Sequence, residues 1–403
     1  MSPKTRIAVT GLGVVAALGR NQSEYWKAVV EGRCGIRSLD LFDPGGCASG
    51  IAGQAPEPLG GGGCRRLSRS DRFCLQAAGE ALAQAGLAPG PGLTRFGISL
   101  GCSTAGMLET EEVFSAARGS GWGRARLSPL MRLPASAPAD AIARRAGLGG
   151  PRLSNMTACA SASLAIGLAA DRLRGGEADG MLAGGGDALC RLTFSGFNSL
   201  RLLSPEPCRP FDTARDGMSL GEGAGILVLE PWERALARGA RPLAEFLDYG
   251  ASCDAHHMTA AHPGGRGALE AMGEALVRSG LDPAQVDYVN AHGTGTPSND
   301  AAEARALLDL FGDRMSRVPV SSTKSSVGHL LGGAGGIEAA TVVLALLHQC
   351  APPTLGLRSP EAEGQIDFVP GRARPSRLRV ALSNSFGFGG ANACLAFRAA
   401  GEV

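Results

Sequence analysis

The sequence predicts an α/β fold assembled from two topologically similar halves, and three observations lead to it. Short apolar, β-branched runs alternate with longer runs of helical periodicity along the chain. Three strand-turn-helix units recur in the same order on either side of about residue 245. The 403 residues are 44% hydrophobic, enough core for one large α/β unit with an internal duplication.

The strand-like runs are 6–10, 96–100, 179–183, 226–230, 286–290, 318–321 and 379–383, each a few apolar residues bounded by Gly, Pro, Asn or Ser. A further short strand at 151–156 enters a tight turn. Helix-like runs fall at 22–31, 72–85, 139–146, 163–173, 267–279, 301–310 and 336–347, with Gly-rich loops at 59–64 and 264–267. In the repeat, 96–104 ahead of Glu109, Glu111 and Glu112 parallels 287–296 ahead of Asp300 and Glu303. The turn around Cys159 parallels 318–347, and 182–187 parallels 382–390. The expected division is therefore 1–245 and 246–403.

Composition excludes several functions. With 39 basic and 37 acidic residues, the net charge of +2 argues against a nucleic-acid partner. Eleven scattered cysteines form no C-x-x-C and no Cys/His group at metal-ligand spacing, which fits a reduced cytoplasmic protein without disulfides or zinc. No run reaches the roughly 18 to 20 apolar residues of a membrane span; the most apolar, 337–350, is broken by Glu338. Lys4 and Arg6 before the apolar stretch 7–18 superficially match a signal peptide, but Gly11, Gly13 and the β-branched content read as strand plus turn. The same glycines match G-x-G-x-x-A. The second strand and acid of a dinucleotide fold do not follow, since 34–60 reads as loop, so they are expected to pack a strand-to-helix turn.

Chemistry concentrates in four segments. Cys159 lies among small residues in Thr157-Ala158-Cys159-Ala160-Ser161-Ala162-Ser163, at the start of a helix whose free N–H groups favour thiolate. His292 follows a strand in Asn290-Ala291-His292-Gly293-Thr294-Gly295-Thr296. Lys324 and His329 stand five residues apart ahead of an apolar helix carrying Glu338. The last segment, Asn384-Ser385-Phe386-Gly387-Phe388-Gly389-Gly390-Ala391-Asn392, has glycines suited to a backbone that approaches a ligand.

With these four segments in this order, the chain resembles the β-ketoacyl carrier-protein synthases of fatty-acid and polyketide synthesis over essentially its whole length, most closely the elongating enzymes with a Cys-His-His triad. The resemblance implies a thiolase-like, five-layered α-β-α-β-α fold from two duplicated halves, the first carrying Cys159 and the second the histidines and lysine. It places catalysis on Cys159, His292, His329, Lys324, Glu338 and Phe388, with Lys324 and Glu338 fixing His329. Two histidines and no second catalytic cysteine separate the pattern from thiolases. An acyl thioester is attacked by the thiol, and the N–H groups of Cys159 and Phe388 hold the resulting oxyanion. A malonyl thioester then loses CO2, and its enolate rests on N–H donors of His292 and His329.

No cofactor is implied, because the substrates ride on the phosphopantetheine of acyl carrier protein. Thr294 and Thr296 would contact that arm, with Phe197 and Gly389 lining the site. An acidic carrier protein would dock on Arg66, Arg69, Arg72, Arg124, Arg126 and Arg201. At the base of the acyl pocket the matching residue is Thr104, where elongating enzymes often carry a bulky aliphatic, which leaves chain length and pathway, polyene included, open. The resemblance also implies a homodimer, or a heterodimer with a chain-length-factor homologue. Two other readings share the fold: a non-elongating acyltransferase and a scaffold subunit.

Overall fold

The computed structural model describes residues 4–58, 67–362 and 364–401, so the predicted loop at 59–64 lies outside the described residues. Eleven strands form one sheet: β1 Ile7–Val15, β2 Phe96–Gly101, β3 Arg152–Asn155, β4 Gly180–Asp187, β5 Gly223–Pro231, β6 Ala244–Cys253, β7 Tyr288–Asn290, β8 Pro319–Ser321, β9 Asp367–Phe368, β10 Val380–Phe386 and β11 Ala391–Ala399. Their spatial order is β9-β8-β7-β10-β11-β6-β1-β5-β4-β2-β3. Numbering the strands afresh from β6 and leaving out the edge strand β9, both halves read 3-2-4-5-1 outward-in. They join where Ile7, Ala8 and Val9 pair antiparallel with Phe246, Glu245 and Ala244.

Seven helices place the site: α1 Arg69–Gln84, α2 Met107–Ser120, α3 Ser161–Arg174, α4 Arg191–Ser199, α5 Arg266–Ser279, α6 Pro297–Phe311 and α7 Ala334–His348. Helices α3 and α7 touch strands of both halves, whereas α1 covers the outer face of the first and α5 that of the second. This gives the five α-β-α-β-α layers. The largest core cluster accordingly mixes Ile166, Ala169 and Ile337 of the central helices with Val9 of one half and Ala381 and Leu395 of the other. Strands covered on both faces need no alternation, which is why β1 is buried along its entire length.

Three sequence expectations change. Gly11 and Gly13 lie within β1 and not in a strand-to-helix turn; a Cβ added there would come within 2.1 Å of Ala81 O and 1.9 Å of Ala77 O. They let α1 press its backbone onto the strand. Strand β6 was missed because Glu245 and Asp248 made it look polar; both acids are buried, Glu245 meeting Arg6 at 2.8 Å and Asp248 meeting Arg278 at 3.1 Å. Finally, the turn before α7 extends the apolar run to Leu331–His348, 18 residues of mean hydropathy 1.5, long and apolar enough to cross a membrane despite Glu338. In the fold 89% of it is buried inside the protein as the central helix.

Candidate active site

Cys159 sits in a single 3-10 turn, Ala158–Ala160, that leads from β3 into α3. Ala158 is held at φ 48°, a left-handed conformation unfavourable for a residue with a Cβ. The turn is tied down on both sides: Ser161 Oγ donates to Ala158 O at 2.6 Å, accepts from Thr157 N at 2.8 Å, and Asn155 Nδ2 donates to Ser161 O at 3.1 Å. The small residues seen in the sequence are needed because the turn wedges against β2, where a Cβ at Gly101 would lie 2.2 Å from Ala162 N.

Burial pushes the Cys159 thiol up to about 11, while the Lys324 charge and the N–H groups of Phe388 and Cys159 act in the opposite direction. The expected thiolate is therefore not the resting form; desolvation outweighs the favourable helix end. Phe388 is presented by Gly389 and Gly390 at φ 79° and 76°, values that favour glycine. Its ring packs on Phe197 with centroids 5.5 Å apart.

The histidines come from the second half. His292 follows β7, and its loop is clamped by carboxylates of α6: Glu303 accepts from His292 N and Gly293 N, both at 2.8 Å, and Asp300 accepts from Thr294 N at 3.0 Å. His329 is fixed by its backbone, donating to Ser219 O at 2.8 Å and accepting from Gly221 N at 2.9 Å. Lys324, buried and paired with Glu338, donates to His292 O at 2.6 Å and lies 3.2 Å from His292 Nδ1. It thus anchors His292, and not His329 as the sequence reading had it.

These contacts set the tautomers. An ammonium can only donate, so His292 Nδ1 accepts; His329 Nδ1 accepts from Leu331 N at 3.2 Å. Burial first, then the Lys324 charge, holds both imidazoles well below their ordinary range, with each ring neutral. Each therefore carries its one hydrogen on Nε2, and His329 Nε2 is buried with no hydrogen-bond partner among the described residues. The rings meet edge to face at 5.3 Å, and the Cys159 sulfur and one nitrogen of each ring lie within 4.8 Å of one another. Such spacing could suit a metal, but a ligating histidine donates from its other nitrogen. Here both other nitrogens accept, so the donor set fits an oxyanion and not a cation.

One cavity joins Cys159, His292 and His329 to Phe388, Gly389, Phe197, Thr294 and Thr296, with the two threonine hydroxyls 2.8 Å apart. Sequence reasoning missed its other wall, Asp254, His257 and Thr259, which Asn392 of the glycine-rich segment joins. Asp254 N donates to Gly390 O at 2.9 Å, Asn392 Nδ2 donates to Asp254 Oδ1 at 2.9 Å, and Gly389 N donates to Met258 O at 2.8 Å. Asp254, His257 and Thr259 begin where the unrecognised β6 ends, so the signal that would have found them was lost with that strand.

The Thr104 hydroxyl lies 2.9 Å from both Asp187 Oδ1 and Ala188 O. One expectation fails on geometry, that for Arg69. Arg69 is buried, its guanidinium occupied by Glu222 at 2.6 Å, by Ala55 O at 3.1 Å and by Glu57, so it cannot greet a carrier protein. Arg72 is half-buried and paired with Glu57 at 2.9 Å, whereas Arg124, Arg126 and Arg201 are exposed. Arg66 lies outside the described residues.

The sequence matches the family Beta-ketoacyl synthase, N-terminal domain, over residues 4–235 and Beta-ketoacyl synthase, C-terminal domain, over 243–358. It is 41% identical to the 3-oxoacyl-[acyl-carrier-protein] synthase 2 of Synechocystis sp., with 98% of each chain covered, and 38% identical to the Nodulation protein E of Rhizobium meliloti, with 98% and 99% covered. Among solved structures, the ishigamide ketosynthase/chain length factor superposes with a TM-score of 0.91 at 34% identity, covering 99% of this chain and 100% of that one. A type II PKS ketosynthase bound to the hexaketide, in complex with its acyl-carrier protein, gives 0.92 at 30% identity over 98% and 100%. On these matches over nearly its whole length, the chain belongs to the β-ketoacyl synthase family.

Proposed function

We propose that the chain elongates an acyl group by decarboxylative condensation with malonyl-acyl carrier protein, giving a 3-oxoacyl-acyl carrier protein in fatty-acid or polyketide synthesis. The observation that carries this is a pair of neutral imidazoles, each with Nδ1 held as an acceptor and one ring nitrogen within 4.8 Å of the Cys159 sulfur. The Cys159 sulfur attacks the acyl thioester, the phosphopantetheine thiol leaves with the proton, and the Cys159 and Phe388 N–H groups hold the oxyanion. In the malonyl thioester the bond to CO2 then breaks, and its electron pair moves onto the thioester oxygen. Nε2–H donors of His292 and His329 stabilise that enolate. Its carbon attacks the acyl-Cys159 carbonyl, and the thiolate leaves as the new C–C bond is made. The buried Lys324–Glu338 pair keeps His292 in its donor tautomer.

Thr294 and Thr296 would contact the phosphopantetheine arm, and Arg124, Arg126 and Arg201 would receive the acidic carrier protein. A second chain of the same fold is proposed to complete the protein as a homodimer. Strand β3 is a half-exposed sheet edge, and Phe114, Trp122, Met131 and Met156 are more than half exposed, with Phe114 and Trp122 edge to face at 5.2 Å. The described cysteines are free thiols, consistent with a cytoplasmic setting. Incubation with acyl- and malonyl-carrier proteins tests the reading by mass spectrometry. The expected product is a 3-oxoacyl chain two carbons longer. An acylated Cys159 without that product would identify a non-elongating acyltransferase, and acylation only in the presence of a homologous chain would identify a heterodimer.

A further inference from the structure

At the end of the sheet opposite the catalytic loops, a cleft of about 290 Å³ is lined by Arg314, Arg317, Arg374, Arg377, Asp287 and Ser376, among others. It opens where β7 and β8 begin, whereas His292 and Lys324 follow the ends of those strands. It is therefore separate from the Cys159 cavity.

Its charges do not cancel. Asp287 is committed to Arg379 N at 2.8 Å, Val380 N at 3.1 Å and the Arg379 guanidinium at 3.6 Å. Asp367, the other acid in the lining, holds Arg374 at 2.5 Å. Arg314 is partly buried and fixed by donation to Val286 O at 2.8 Å, a contact that leaves its charge unneutralised. Arg317 and Arg377 are exposed and, among the described residues, meet neither carboxylate nor carbonyl. Three guanidiniums thus line one polar cleft with no carboxylate paired to any of them among the described residues. Guanidinium forks match the oxygens of phosphate groups, and several converging on one cleft favour a multiply charged anion over a single carboxylate.

We propose that this cleft binds a diphosphate group, with Arg314, Arg317 and Arg377 as its ligands. Isothermal titration of the full chain with inorganic pyrophosphate near physiological salt tests it. The expected result is one saturable site per chain, weakened at least about tenfold in the Arg317→Ser/Arg377→Ser double variant and unchanged in Arg124→Ser/Arg126→Ser. Absence of saturable binding to the wild type, or equal weakening in both double variants, would overturn the proposal, the latter by reducing the effect to diffuse surface charge. Condensation plays no part in the readout, so this inference stands or falls apart from the proposed activity.

Discussion

The turn that carries Cys159 has a twin in the other half, and the two differ in what they are allowed to hold. Ala158–Ala160 leads into α3; Leu331–Gly333 leads into α7. Both begin on a non-glycine residue in the left-handed region, Ala158 at φ 48° and Leu331 at 51°. The second residue of the first turn is the nucleophile; that of the second is Gly332. Each turn packs on the opposite half. Gly387 at the end of β10 comes against Cys159 N, and Gly333 comes against Gly186 at the end of β4. In the first half, however, β4 ends in Asp187, whose buried carboxylate collects the N–H groups of Ser103 and Thr104 at 2.9 and 2.7 Å. That loop fills the place a side chain at 332 would need: a Cβ there would lie 2.5 Å from Ser103 Oγ and 2.8 Å from Ser103 N. Duplication supplied two strained turns, and packing leaves room for a nucleophile in only one.

The comparison predicts sharply different losses. Cys159→Ser should show no covalent acyl-enzyme by mass spectrometry, since nothing at position 332 can substitute. His292→Ala should lower condensation about 100- to 1000-fold, as for loss of one oxyanion donor, while acylation of Cys159 largely survives. Equal losses in both steps would contradict the division between thiol and imidazoles. Gly332→Ala should destabilise the protein by about 1–3 kcal/mol, because backbone must move to admit the methyl group; an unchanged melting temperature would show the second turn is not sealed.

The duplication was legible because each unit keeps its strand, its tight turn and its apolar helix in sequence. The catalytic residues were legible for the same reason, since Cys159, His292, Lys324 and His329 all follow recognised strands or turns. What escaped depended on partners remote in sequence. The acids of β6, which interrupt its apolar pattern, pair with Arg6 and Arg278 from remote segments. Arg69 read as a docking residue until Glu222, 153 positions away, enclosed it. The acids repeated after each strand also diverge: Glu303 clamps the His292 loop, while Glu109 accepts Arg69 N at 2.6 Å and Glu111 accepts Leu192 N at 2.7 Å.

The thiol's environment gives a subtler test. A group pushed up to about 11 by burial is protonated throughout the neutral range, so its thiolate fraction rises about tenfold per pH unit. Alkylation of Cys159 by iodoacetamide, followed by mass spectrometry, should increase about tenfold per pH unit, about 100-fold from about pH 7 to about pH 9, without levelling off. Lys324→Met should slow it further, because the lysine charge opposes the upward shift. A plateau near neutrality would mean that the helix end, and not burial, governs the sulfur.

The smallest effect separates strain from packing in the two turns. Ala158 is only half-buried, so Ala158→Gly removes the left-handed penalty and little else; a gain of up to about 1 kcal/mol is expected. Leu331 has nearly the same φ but is 5% exposed and belongs to the apolar cluster with Leu108, Phe194 and Met218. There relief of strain is outweighed by the loss of a buried side chain, and Leu331→Gly should cost about 2–4 kcal/mol. Urea denaturation measures both. Opposite signs at two positions of like backbone conformation would show that the first turn keeps its strain for the geometry of the thiol, and the second for the side chain it buries; equal signs would remove that distinction.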